Sequence, residues 1–332
     1  MQRATRPEER RTEPRPQRPG GDRLLADVLS GLRGRPRTLP SRYFYDDRGS
    51  RLFQWISRLP DYYLTRVERE ILERSGGAMV APLGDGPCTV VDLGAGDGHK
   101  THRLLRRLLG RSAGVTYAPV DLSQAALDEA SARVGGELPG VSLRPVRTTY
   151  GRALRQLASH PGLGPMLVLF LGSSIGNLEH AAARALLGEL RTAMRPGDHL
   201  LVGFDMVKPL PLLRRAYDDP QGVTRAFNFN LLVRLNRELG ATFDLEAYRH
   251  VATWDPVRPA MESWLECTSA QSVRIGRSTF AFEAGERIRT EISCKYRDQQ
   301  ITAFAADAGF AEVGRFADPA RWFVDALWRV PG

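Results

Sequence analysis

The chain has 332 residues, a formal net charge of +9 and a hydrophobic fraction of 42%. Such a length can form one large domain or two, and no apolar run approaches the length of a membrane-spanning helix. The N-terminus lacks the apolar stretch of a secretory signal peptide, so we expect a cytoplasmic protein. Three widely spaced cysteines without a CxxC pair argue against a disulfide framework and against a cysteine-based zinc site.

The positive charge does not follow the pattern of a nucleic-acid interface. Lysine occurs only at positions 100, 208 and 295, and the other basic residues are arginines scattered among acidic neighbours. A nucleic-acid-binding domain usually concentrates its basic residues on one element. We therefore expect a solvated surface, no nucleic-acid partner and no membrane association.

Residues 1 to 22 are rich in Pro, Arg and Glu and predict a disordered basic tail. Amphipathic helical patterns follow in LLADVLSGL, SRLFQWISRL and LTRVEREILERS. From Thr89 onward short apolar runs alternate with helical segments, and the strand candidates are TVVDLG, VTYAPVDL, VSLRPV, MLVLFLG and HLLVGFD. Four βα units followed by a fifth strand predict an α/β fold with a Rossmann-like, doubly wound parallel sheet, whose ligands bind at the carboxyl ends of the strands.

The pattern changes after Asp205. Residues 209 to 240 predict helices, residues 248 to 293 alternate as antiparallel strands do, and the last stretch predicts a helix and closing strands that return to the first sheet. We therefore predict a nucleotide-binding domain interrupted by a second, mixed α+β domain. The expected bounds are 76–205 and 293–332 for the nucleotide-binding domain, and 23–75 and 206–292 for the substrate-binding domain.

The stretch VVDLGAGDGHK contains the first candidate site, because Gly94, Gly96 and Gly98 follow an apolar strand at alternate positions. Glycines there are typical of a tight turn at which the backbone approaches a ligand. A dinucleotide fingerprint would need glycine at position 99, which is His99, so the spacing favours S-adenosylmethionine. Asp121 ends the next strand in APVDLS, where it could accept both ribose hydroxyls. The same acid would suit NAD, and it could instead cap the following helix.

Six stretches together resemble the histidine Nα-methyltransferase family of ergothioneine biosynthesis. They are SRYFYDDRGSRLFQWISRLPDYYLTRVE, VVDLGAGDGHKT, PVDLS, LFLGSSIGNL, AYDDPQGVTRAFNFNLLVRLNRELGATFD and GERIRTEISCKY. The likeness extends in order from about Pro40 to Arg329. It implies a class I methyltransferase domain with a second substrate-binding domain. It also implies the transfer of three methyl groups from S-adenosylmethionine to the α-amine of free L-histidine, giving hercynine.

The resemblance also implies which residues bind the methyl donor. They are Gly94, Gly96, Lys100, Asp121, Thr149 and Tyr150. Lys100 is expected one turn into the helix after the glycine loop, where its ammonium would meet the methionine carboxylate as a compact charge. Thr149 stands where the family usually has Asp, so the adenine amine would meet an uncharged acceptor.

By the same resemblance, Asn177 and Tyr217 bind the substrate carboxylate. Glu291 and Ser293 lie on one face of a strand and would bind the imidazole, the carboxylate accepting one ring N–H and the hydroxyl pairing with the other nitrogen. The remaining candidates are Tyr45 and Tyr62, expected to line the cavity, and Ser263, which stands where the family often has Met. Ring faces suit a site that produces a trimethylammonium, and Tyr45 and Asn177 are the catalytic candidates.

Two alternatives stay open. One is a methyltransferase of the same build that acts on another amino acid, such as tryptophan; the presence of both Glu291 and Ser293 favours histidine. The other is an NAD-binding or non-catalytic protein with a doubly wound fold. Neither HxH nor HExxH occurs, so no metal is expected, and we expect a monomer.

Overall fold

The computed structural model describes residues 21–332, so the predicted tail lies outside the described residues except for Gly21 and Asp22, which open the first helix. The α-helices of this range are α1 (Gly21–Arg33), α2 (Asp47–Ile56), α3 (Tyr63–Val80), α4 (Thr101–Leu109), α5 (Gln124–Glu137), α6 (Tyr150–Ala158), α7 (His180–Ala193), α8 (Leu210–Tyr217), α9 (Val223–Leu239) and α10 (Asp298–Ala308). Within residues 21–332, no helix has the length and apolar character needed to cross a bilayer.

The strands of the same range form two sheets and a separate hairpin. They are β1 (Arg37–Thr38), β2 (Cys88–Leu93), β3 (Val115–Asp121), β4 (Val141–Leu143), β5 (Val146–Arg147), β6 (Met166–Phe170), β7 (His199–Asp205), β8 (Tyr248–Asp255), β9 (Ala260–Cys267), β10 (Gln271–Ile275), β11 (Ser278–Phe282), β12 (Arg287–Cys294), β13 (Ala311–Ala317) and β14 (Phe323–Arg329). The segment predicted as one strand, VSLRPV, is split into β4 and β5 around Pro145, since proline cannot donate to the ladder.

The larger sheet confirms the predicted Rossmann-like, doubly wound fold. Its strand order is β13-β14-β7-β6-β2-β3-β4, with β5 also paired to β3. Strands β2, β3, β6 and β7 run parallel, whereas β14 lies antiparallel between β7 and β13. Strands β2, β6 and β7 are buried along their whole length because helices cover both faces. The order of connection reverses between β2 and β6, which places the ligand cleft at their carboxyl ends.

The smaller sheet has the order β1-β12-β9-β8 and packs with helices α1, α2 and α9 around a core of its own. Strand β12 links this sheet to the cleft: Ile288 lies in the smaller core, and Cys294 lies in the core of the larger sheet. The side chains that follow Ile288 along the strand are therefore carried towards the carboxyl ends of β6 and β7.

Helix α3 changes the expected domain bounds. The sequence assigned residues 23–75 to the substrate-binding domain, but Val67 and Ile71 are buried with Val90 of β2 against the larger sheet. We therefore propose that the boundary lies just before α3, near Tyr62. The helical pattern of LTRVEREILERS predicted the helix but carried no information about which sheet it covers.

Candidate active site

The glycine loop after β2 has the backbone that its sequence predicted. Gly94, Gly96 and Gly98 have φ values of 74°, 54° and 69°, a region that side chains with a Cβ rarely adopt. A Cβ on Gly94 would lie 2.9 Å from the hydroxyl of Tyr150, and one on Gly98 would lie 3.3 Å from the Cα of Ala130. Glycine is therefore favoured by conformation at all three positions, and by space as well at Gly94 and Gly98.

Asp121 lies at the carboxyl end of β3, and the alternative role as a helix cap belongs to its neighbour. Ser123 caps α5, its hydroxyl accepting the backbone N–H of Ala126 at 3.3 Å. Asp121 accepts the N–H of Ser123 at 2.8 Å, and burial raises the pKa of its carboxyl. This position beside the glycine loop suits the binding of ribose hydroxyls. Thr149, the residue before α6, makes no side-chain hydrogen bond to the helix.

Lys100 lies at the cleft but not where the sequence placed it. It precedes α4, which begins at Thr101, instead of lying one turn inside the helix. Its ammonium is 2.5 Å from the buried carboxylate of Glu68 on α3, and 3.0 Å from the Cβ that Gly172 would carry. Glu68 also accepts the N–H of Gly172 at 2.6 Å. The lysine therefore reaches the junction of β2 and β6, held by a carboxylate that the sequence did not reveal.

Glu291 on β12 is half-buried and lies directly opposite Ser263 on β9. Burial raises the pKa of its carboxyl to about 7, although the ammonium of Lys295 and the hydroxyl of Ser263 act in the opposite direction. The Ser263 hydroxyl is buried and faces this carboxyl, with no other hydrogen-bond partner among residues 21–332. A desolvated carboxyl beside such a hydroxyl is well suited to bind a polar group of a ligand.

Tyr217 and Ser293 were predicted to bind opposite ends of the substrate, and the structure places their hydroxyl oxygens 2.6 Å apart. Both oxygens also accept hydrogen bonds from Lys295, at 2.8 Å for Tyr217 and 2.7 Å for Ser293. Burial raises the pKa of Tyr217 well above its usual value, so the phenol stays protonated. The subsites expected for carboxylate and imidazole are therefore adjacent.

Tyr45 joins the two halves of the site. Although 41% of the residue is exposed, its hydroxyl end is desolvated, and this raises the pKa of the phenol. The same hydroxyl lies within electrostatic reach of Glu291 and Tyr217 on one side and of Tyr150 and Asp121 on the other. A neutral phenol at this position can interact with both sets of residues.

Tyr62 lies just before α3 and packs its ring edge-on against Phe53, with 6.3 Å between centroids. Its pKa is raised well above the usual value by burial first, and then by Tyr217 and Glu291. The phenol is therefore neutral and lies within electrostatic reach of Tyr217 and Glu291. Its aromatic face adds to the surface available for a cation.

Asn177 ends a short 3-10 helix, Ser174–Asn177, that follows β6. Ser173 has a left-handed φ of 55°, and its hydroxyl accepts the N–H of Asp205 at 3.2 Å, which fixes the turn. A Cβ on Gly176 would lie 3.0 Å from the carbonyl oxygen of Cys294, so glycine allows the turn to lie against β12. The turn that ends at Asn177 is thereby placed beside the strand that carries Glu291.

Comparison with known proteins identifies this arrangement. The family model for histidine-specific, S-adenosylmethionine-dependent methyltransferases matches residues 24–330. The chain belongs to this family. It is 41% identical to the histidine N-alpha-methyltransferase of Mycolicibacterium smegmatis over 90% of this chain and 92% of that protein. It is 42% identical to the protein of the same name from Mycobacterium tuberculosis, over 91% of each chain.

A third relative is the ergothioneine biosynthesis protein 1 of Schizosaccharomyces pombe, 29% identical over 84% of this chain and 37% of that longer protein. Membership of the histidine-specific methyltransferase family confirms the resemblance found in the sequence. It also makes the chain an S-adenosylmethionine-dependent methyltransferase and removes the NAD-binding alternative.

The residues that sequence reasoning missed are charged groups beneath the site. They are Glu68, Asp205, Lys208 and Lys295, all buried. The scarcity of lysine was the available signal, because three of the 47 basic residues are lysine and all three pair with these two carboxylates.

Proposed function

We propose that this enzyme transfers three methyl groups in succession from S-adenosylmethionine to the α-amine of free L-histidine, forming hercynine in the first step of ergothioneine biosynthesis. The main support is the pocket around Glu291, where a carboxyl whose pKa is raised to about 7 by desolvation stands beside the hydroxyls of Ser263 and Ser293. An imidazole has a donor and an acceptor nitrogen, so it can pair with both kinds of group.

The roles of the residues follow from this arrangement. Asn177 and Tyr217 bind the α-carboxylate, and Glu291 and Ser293 bind the ring, so the α-amine between them points towards the glycine loop. Gly94, Gly96, Lys100, Asp121, Thr149 and Tyr150 bind the methyl donor. In each round an N–C bond forms, the donor's S–C bond breaks and one proton leaves the nitrogen. The positioning of the two substrates supplies most of the acceleration, because the chemistry needs only an in-line approach.

The tyrosines suit a nitrogen whose hydrogen-bonding capacity falls with each round. A growing ammonium loses one N–H donor per methyl group, whereas the attraction of a cation to ring faces persists. Tyr45 and Tyr62 keep their protons at neutral pH because burial raises both pKa values. They therefore act as neutral phenols that orient the amine and pass its proton on, and not as tyrosinate bases.

Tryptophan fits the same pocket less well. Indole offers one N–H, which Glu291 could accept, but it has no second nitrogen for the Ser293 hydroxyl. Ser293 would keep its hydrogen bonds with Tyr217 and Lys295 but would lose the one to the ring, and a typical hydrogen bond contributes roughly 0.5–1.5 kcal/mol. The polar Ser263 opposite Glu291 adds to this mismatch, so histidine is the preferred substrate.

The direct test is a mass-spectrometric screen of free amino acids with the wild-type enzyme and S-adenosylmethionine. We expect histidine to gain one, two and finally three methyl groups, with no comparable product from tryptophan. If another amino acid is trimethylated and histidine is not, that amino acid is the substrate and the proposal for histidine is wrong. The enzyme is further proposed to act as a cytoplasmic monomer; its three cysteines are free thiols, as a reducing compartment requires.

A further inference from the structure

A buried group of charges lies directly under the amino-acid pocket, and the proposed mechanism does not use it. Asp205 ends β7 and is fully buried between two ammonium groups. Lys208 approaches one carboxylate oxygen and also donates to the hydroxyl of Tyr63 at 2.8 Å. Lys295 is 3.0 Å from the other oxygen and is itself fully buried. Two cations on one carboxylate leave an excess positive charge beneath the pocket.

The choice of lysine here is informative. The chain uses arginine for almost all of its positive charge, including its surface ion pairs. A buried lysine is a compact point charge with three rotatable donors, which a planar guanidinium cannot replace. Burying such a charge is costly unless all its donors are satisfied. A fully buried lysine in a chain with so few lysines therefore indicates that this position needs the compact, three-donor geometry of an ammonium group.

All three donors of Lys295 have partners, and two of those partners belong to the pocket. The ammonium is 3.0 Å from Asp205, 2.8 Å from the hydroxyl of Tyr217 and 2.7 Å from that of Ser293. Lysine can only donate, so both hydroxyl oxygens accept from it, and this holds them 2.6 Å apart. One of the two hydroxyl protons forms the hydrogen bond between Tyr217 and Ser293, and the other can be donated to the substrate.

We propose that Lys295 is a positioning residue for substrate recognition: its ammonium fixes the hydroxyls of Tyr217 and Ser293 in the geometry that meets the substrate. The proposal rests on the assignment of this pocket to histidine. Lys295 touches neither substrate and acts through these two hydroxyls, and its charge also acts on Glu291. Its counterpart Lys208 shares Asp205 but contacts Tyr63, so it serves only the stability of the charge cluster.

The electrostatic part of this role follows from the groups around Glu291. The charge that lowers its pKa is that of Lys295, one residue beyond the end of β12, and the hydroxyl of Ser263 on β9 acts in the same direction. The other titratable groups facing the pocket are neutral phenols: Tyr45, Tyr62 and Tyr217. Removing the Lys295 charge therefore raises the pKa of Glu291, so that less carboxylate is present at neutral pH to accept a ring N–H.

The test compares Lys295→Met with Lys208→Met, because each removes one ammonium from Asp205 and leaves the other. For Lys295→Met we expect kcat/KM for histidine to fall roughly 10- to 100-fold, the size expected for losing hydrogen bonds to a charged group. The acid limb of its pH profile should move to higher pH. Histidine's own titration is the same for every variant, so a displacement between profiles reports on the enzyme.

For Lys208→Met we expect lower thermal stability but an unchanged KM for histidine and an unchanged acid limb. In both variants the calorimetric affinity for S-adenosylmethionine should equal that of the wild type. Equal effects of the two substitutions on KM and on the pH profile would overturn the proposal, as would a Lys295→Met enzyme with wild-type recognition. If Lys295→Met does not fold, Lys295→Gln retains donors without the charge and should still move the acid limb. A wild-type enzyme inactive on histidine would refute the proposed function instead.

Discussion

The cleft for the methyl donor and the pocket for the amino acid lie side by side but are built differently. The cleft is made largely of backbone at the carboxyl ends of strands. It consists of three glycines with positive φ after β2, the last residue of β3 and the residues that follow β5. The pocket is made of side chains from Tyr45 to Ser293, held by hydrogen bonds and charges between elements distant in the sequence. A substitution in the cleft should therefore act by sterically blocking the methyl donor. A substitution in the pocket should instead act by removing a hydrogen-bond partner of the amino acid.

The largest effect is expected from blocking the cleft at Gly94. Gly94→Val places a branched side chain at a φ of 74° and within 2.9 Å of the Tyr150 hydroxyl, and it should abolish S-adenosylmethionine binding in calorimetry. Gly84→Val is the matched control, because Gly84 has a φ of 71° but open space around its Cβ position. If both variants bind the donor normally, the glycine loop is not its site.

The next effect is expected from removing the carboxylate of the pocket. Glu291→Ala should weaken the binding of histidine by about 2–3 kcal/mol, or roughly 30- to 150-fold, because a charged hydrogen-bond acceptor is lost. Affinity for S-adenosylmethionine should stay constant, since this strand does not contribute to the glycine loop. The measurement is kcat/KM for histidine and a second amino acid. An equal fall in kcat for every amino acid would instead identify Glu291 as the base that deprotonates the amine.

The same carboxylate predicts a pH dependence. The pKa of Glu291 in the free enzyme is raised to about 7, so its charged form is lost as the pH falls through that value. The kcat/KM for histidine should therefore decrease below about pH 7 in the wild type. Glu291→Gln is the control: its amide does not titrate, so this component of the profile should disappear. Identical profiles for the two proteins would contradict the assignment.

Asn177 should have a smaller and less selective effect. Its amide is expected to bind the α-carboxylate, which every amino acid carries. Asn177→Ala should therefore weaken the binding of all amino-acid substrates to the same extent. A neutral donor to a charged group contributes about 1.5 kcal/mol, or roughly 10-fold. The ratio of kcat/KM for histidine to that for a second amino acid should not change. A fall in kcat/KM confined to histidine would show instead that Asn177 binds the imidazole ring.

The contrast between cleft and pocket also explains what the sequence could predict. Gly94 and Asp121 were found because glycine spacing and a strand-terminal acid are local patterns with a direct physical cause. Glu291 and Ser293 were found only through resemblance, since strand alternation places them on one face without showing what that face meets. Lys295 was not assigned at all. Its partner Asp205 lies in a different sheet, and only the folded chain brings the two together.

The smallest effect is expected at Thr149, where the cleft departs from the family pattern. Thr149 occupies the N-cap position of α6 without a side-chain hydrogen bond to the helix. Asp is a slightly better cap than Thr and also interacts favourably with the helix dipole, so Thr149→Asp should raise the free energy of unfolding by about 0.5 kcal/mol. A charged acceptor for the adenine amine should also tighten S-adenosylmethionine binding a few-fold, because charge-assisted hydrogen bonds are stronger. Thr148→Asp, one residue before the cap, should do neither. Tighter donor binding without added stability would assign the effect to the adenine contact, and added stability alone would show that Thr149 does not contact the donor.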